Sequence, residues 1–142
     1  LISDISVSAQ FSEEFQGAEW VEGHHGPAVG AQFVGTNRHP AIGEWQTTST
    51  ITAFVENEQF GWAVGDDEET AAARWRWEID ELHGHRCRLR HTVRLGPGPS
   101  GLTPAIEAMP DKEALIVDRR QQEHLANMRR CVEGVKALAE TP

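Results

Sequence analysis

The residue of this chain best suited by type and setting to do chemistry is His91. Two alternating runs, Ala71 to Leu82 and Arg86 to Leu95, are joined around His83, Gly84 and His85. Centring that hairpin on Gly84 sets Trp77 against His91, Trp75 against Val93 and Ile79 against Leu89 on one face. The same register places Glu78 opposite Arg90 and Asp80 opposite Arg88 on the other. A slip of one residue would set apolar groups against charges throughout, so the imidazole is expected on the inward side, against Trp77. An inward imidazole can hydrogen-bond a ligand, carry a proton, or be satisfied by a backbone carbonyl or a water. Proton-transfer catalysis needs a second positioned group, and the sequence does not single one out.

Phe33, Asn37, Trp45, Thr47, Ser49, Trp62, Trp75 and Trp77 are expected on the same inner face, with His124 and Met128 reaching it from a C-terminal helix. The chain has five tryptophans and no tyrosine. Taken singly, each indole is ordinary core filler. Together, several would wall a pocket suited to a flat or ring-containing molecule. The polar company of Asn37, Thr47, Ser49 and His91 favours the pocket, because a dry core rarely holds four polar side chains without partners.

Other chemistries lack their starting residues. His24 and His25 are adjacent and would diverge on an extended segment, while His83 and His85 flank a turn glycine, so no metal site is expected. Cys87 and Cys131 are far apart with no CxxC spacing, and both read as buried thiols. There is no GxGxxG, GxxxxGK[ST], GxSxG or HExxH, and no cofactor is implied.

The elements that must position these residues follow from periodicity. Asp4 or Ser6 can cap a short turn through Phe11, and Ser12 a second. Alternation then runs from Gln16 to Glu22 and from Val29 to Arg38, interrupted by GHHGP. In Trp45 to Val55 the odd positions share one face, and Gln46, Thr48, Thr50 and Thr52 the other, with Phe54 as the exception. Setting Val55 opposite Phe60 brings Ala53 to Trp62 and Ile51 to Val64. Four prolines and three glycines in GPGPSGLTPAIEAMP make a long crossover. From about Asp111 to Glu140 the pattern is helical, with an apolar stripe of Leu125, Met128, Val132, Val135 and Leu138 or Ala139, and Gly134 inside it at a cost of about 1 kcal/mol.

One apolar sheet face and one apolar helix stripe must cover each other. The expected fold is therefore α+β, a bent antiparallel sheet wrapped around a long C-terminal helix, with short N-terminal helices, in a single domain over residues 1–142. A gap between sheet and helix is the expected site. The segments GAEWVEGHHGPAVGAQFVGTNR, EWQTTSTITAFVENEQFGWAV, ARWRWEIDEL and HLANMRRCVEGVKALAE resemble the polyketide cyclase/dehydrase and lipid transport group of the START-like, pollen-allergen-like helix-grip (SRPBCC) superfamily. LISDI is similar to that family's first short helix. The resemblance covers nearly the whole chain, and its motifs are structural, so it implies fold far more than function. It also implies a strand ahead of this helix, upstream of Leu1 or replaced by another element; without it the sheet would keep an edge open to pairing, as in a homodimer.

A formal charge of −9 repels phosphate backbones, so nucleic acid is not an expected partner. No apolar run approaches the roughly 18 to 20 residues of a membrane span, and LISDISVSAQ lacks the marks of a secretory signal, so a cytoplasmic protein is expected. Three functions fit: a binder of a small hydrophobic or aromatic molecule such as a lipid or polyketide; an aromatase/cyclase-type enzyme, permitted by the resemblance, using His91 or His124; and a non-catalytic, dimerising interaction module.

Overall fold

A computed structural model of the protein describes all 142 residues. The alternating segments form six strands: β1 (Phe15–Trp20), β2 (Gln32–His39), β3 (Gly43–Val55), β4 (Gln59–Val64), β5 (Ala73–Leu82) and β6 (Arg86–Leu95). Each pairs antiparallel with the next, so spatial order equals chain order and the curved sheet is open, with β1 and β6 as its edges. The crossover holds a short helix that periodicity did not disclose, α1 (Thr103–Ala108), and a single 3-10 turn (Pro110–Lys112) leads into α2 (Glu113–Glu140). The architecture is the expected α+β one, and it is compatible with a helix-grip fold. No helix is long and apolar enough to cross a membrane.

The β5–β6 register has Trp77 opposite His91, Trp75 opposite Val93, Ile79 opposite Leu89, Glu78 opposite Arg90 and Asp80 opposite Arg88, as the sequence required. Gly84 and His85 both take positive φ at its turn. On β6, Arg86, Arg88, Arg90 and Arg94 alternate along the exposed face.

The β3–β4 pairing differs from the expected one. Val55 faces Gln59, Phe54 faces Phe60, Ala53 faces Gly61 and Ile51 faces Trp62, with an irregularity between Ile51 and Ala53. An extra residue, Thr52, reverses which side chains point inward beyond it. Phe54 thus meets Phe60 edge to face at 6.4 Å, and Val55 is exposed.

The helix stripe also differs. Leu125 and Leu138 are exposed, whereas Val135 of the stripe is buried as expected, together with His124 and Cys131, which were also expected inside. These three recur at steps of seven and four, so they share one face. That face does not meet the sheet alone. The N-terminal segment, which carries a 3-10 turn at Val7–Gln10, inserts Ile2 and Val7 into a core with Phe33, Ile51, Phe60, Trp77, Cys131 and Val135. Gly134 makes room for it: a Cβ there would come 2.3 Å from the Phe11 ring. Ser12 caps no helix; its Oγ accepts from the backbone N–H groups of Glu14 and Phe15 and turns the chain into β1. Cys131 Sγ–H donates to the Ser8 carbonyl. Cys87, expected to be buried, lies exposed on the edge strand.

Candidate functional site

Between the sheet, α2 and the N-terminal segment lies a cavity of about 120 Å³. β2 contributes Phe33 and Asn37, β3 Thr47 and Ser49, β4 Trp62, β5 Trp75 and Trp77, β6 His91, and α2 His124 and Met128. All of these were expected on the inner face. Trp45, also expected there, pairs with Asn37 but lies outside the lining, one step nearer the β2–β3 turn than Thr47. Sequence reasoning missed the third wall, made by Ile2, Asp4, Ile5, Ser8 and Ser12, together with Glu14 and Phe15 at the entry to β1. Nothing in the pattern of Leu1 to Ser12 says that it folds back over a helix more than a hundred residues later. A partial signal was Gly134, which reads as a cost in a helix unless something packs on it.

The aromatic groups form a connected surface. Trp62 and Trp75 stack at 6.2 Å with 11° between planes, and Phe33 meets Trp62 edge to face at 6.1 Å. His91 lies flat on Trp77, with ring centroids 3.7 Å apart and 6° between planes. His124 meets Trp75 edge to face at 5.1 Å. Trp75 therefore has an imidazole from β6 on one side and one from α2 on another, which places this face of the sheet toward the helix.

Both ring nitrogens of His91 are buried and neither has a hydrogen-bond partner. Loss of hydration lowers its pKa from 6.5 to about 3, so the ring is neutral at physiological pH. His124 is lowered to about 4, first by desolvation and then by the Arg120 guanidinium, with Glu14 and Glu123 opposing. It too is neutral.

Beside His124, an ion network ties β1's entry to α2. Arg120 donates through Nη1 to Glu14 Oε2 at 2.7 Å and to Glu123 Oε2 at 2.9 Å, and through Nη2 to Glu14 Oε1. The side chains of Arg120 and Glu14 are each only 13% exposed. Burial opposes the guanidinium charge, and the two carboxylates more than offset it, raising its pKa. His39 Nε2 extends the network, 3.5 Å from Glu123 Oε1.

No cluster of three or more histidine, cysteine or acidic groups is arranged to hold a metal ion. The wall offers aromatic surface, neutral hydrogen-bonding groups and two carboxylates, from Asp4 and Glu14. Such a lining can hold an uncharged molecule by stacking and one or two hydrogen bonds. Comparison with models of known families, with curated proteins and with solved structures gives no significant match.

Proposed function

We propose that the protein binds a small, uncharged, predominantly apolar molecule in this cavity, as a helix-grip binding protein of the polyketide-cyclase and lipid-transport kind. The observation that carries this reading is the imidazole of His91, unpartnered and set among the rings of Trp62, Trp75 and Trp77 in the cavity lining. A buried polar group without a partner costs about 1 to 3 kcal/mol, and a ligand or water that bonds it recovers part of that.

Size narrows the class. Drug-sized ligands occupy pockets of roughly 300 to 1,000 Å³, whereas an apolar cavity of roughly 150 Å³ admits benzene. A volume of about 120 Å³ favours a molecule of one ring over a lipid chain or a folded polyketide. The test is a size series of toluene, naphthalene and a long-chain fatty acid, followed by thermal unfolding and tryptophan emission. The single ring should raise the unfolding temperature and change the emission, and the fatty acid should do neither. If no member of the series does either, and native mass spectrometry of freshly purified protein finds no small molecule, the reading fails.

A further inference from the structure

The cavity wall specifies more than size. Stacking on Trp77 fixes the plane of the His91 ring, and with it the directions in which its nitrogens can bond. A neutral imidazole carries one donor and one acceptor, and here both are buried and unmatched. A ketone could answer only the donor. A hydroxyl both donates and accepts, so it can answer whichever nitrogen faces it in either tautomer. The surrounding surface is aromatic, from Phe33, Trp62 and Trp75, and suits the face or edge of a ring.

Charge excludes the nearest competitors. The wall carries no lysine or arginine, while Asp4 and Glu14 line it. The neighbouring guanidinium of Arg120 is already engaged by Glu14 and Glu123. An aromatic carboxylate would enter without a free counter-ion, facing the unpaired charge of Asp4, and would lose its hydration.

Resting on the binding function above, we propose that the ligand is a neutral hydroxylated single ring, a phenol, whose hydroxyl hydrogen-bonds a ring nitrogen of His91. His91 is then the group that selects the hydroxyl, and the tryptophans are the groups that select the ring.

Calorimetric titration of the whole chain at pH 7 with phenol, toluene and benzoate tests this. Phenol should bind about tenfold more tightly than toluene, the worth of one buried hydrogen bond, and benzoate should not bind. In protein labelled with ¹⁵N-histidine, the ring nitrogen signals of His91 should shift with phenol and stay in place with toluene. His91→Phe should keep toluene binding and lose the preference for phenol. Equal affinity for phenol and toluene, a preference that survives in His91→Phe, or unmoved His91 signals would each overturn the phenol assignment while leaving the apolar-binding function standing. Failure of all three compounds to bind would overturn the phenol assignment, and the binding function with it if native mass spectrometry also finds no small molecule. If His91→Phe does not fold, the nitrogen signals of the unaltered protein decide.

Discussion

The ring of Phe11 occupies the notch that Gly134 leaves in α2, so close that a methyl group at that position would lie 2.3 to 2.5 Å from three of its carbons. Helix propensity alone says that Gly134→Ala should stabilise by about 1 kcal/mol. The overlap reaches the base of the ring, which cannot swing away without the backbone, and overpacking of this sort costs about 1 to 3 kcal/mol. The overlap should win. Gly134→Ala is expected to lower the unfolding temperature by several degrees, and Phe11→Ala combined with Gly134→Ala should show smaller loss than the two singles added together. A rise in unfolding temperature for Gly134→Ala alone would show that Phe11 does not sit there.

The Glu14–Arg120 pair joins two parts of the chain 106 residues apart. Each side chain is mostly buried, so removing Arg120 leaves the Glu14 carboxylate without its partner, whereas removing the Glu14 charge leaves Arg120 its bond to Glu123. Arg120→Met should cost about 3 kcal/mol in urea unfolding, and Glu14→Gln less, because Arg120 keeps Glu123. The double variant should lose much less than the sum of the two, and full additivity would mean that the pair is not formed.

The two neutral histidines make stability depend on pH. Their folded values, about 3 for His91 and about 4 for His124, lie below the 6.5 of an unfolded histidine. Between those limits the unfolded chain binds more protons than the folded one, so stability rises with pH across the window and falls on acidification from 6.5. Above pH 6.5 neither group contributes. At pH 5 each should cost about 1 to 2 kcal/mol. Urea midpoints measured at pH 7.5 and pH 5 should differ accordingly, and His91→Phe should reduce the difference by roughly half. A midpoint that stays constant over this range would place the imidazoles in water.

The two thiols should react very differently. Cys87 is exposed, while Cys131 is buried, bonded to the Ser8 carbonyl and raised in pKa by burial. Ellman's reagent should modify one thiol per chain promptly in buffer and two in guanidinium. Prompt reaction of both in the native protein would mean that the N-terminal segment does not stay packed on α2.

These residues show which parts of the fold the sequence carries. The β5–β6 hairpin is legible in full because its two faces differ in charge, and only one register satisfies both. Strand β3 is legible only up to its bulge. Phe54, an apolar residue on the polar side of an otherwise regular alternation, was the mark of that bulge, but a single exception does not locate the extra residue. On α2 the periodicity was real and Val135, His124 and Cys131 lie inside as expected, yet Leu125 and Leu138 proved to be outside. Hydrophobicity ranks side chains, whereas the buried face is chosen by what packs on it, and here that includes the Ile2 to Phe11 segment. The same segment supplies the unanticipated wall of the cavity. The lining from β2, β4, β5 and β6 could be read because strand alternation assigns a face without knowledge of the partner.

Strand β6 leaves ten residues of backbone at a free edge, and four arginines stand along it. Two copies meeting there in antiparallel fashion would bring like guanidinium groups into rows across the seam, with no carboxylates on that strand to separate them. Repulsion between such rows would disfavour pairing along this edge, although Arg90 is partly offset by Glu78 and Asp80. Neutral substitutions at Arg88 and Arg94 would leave the monomer intact and show their effect first as precipitation on concentration.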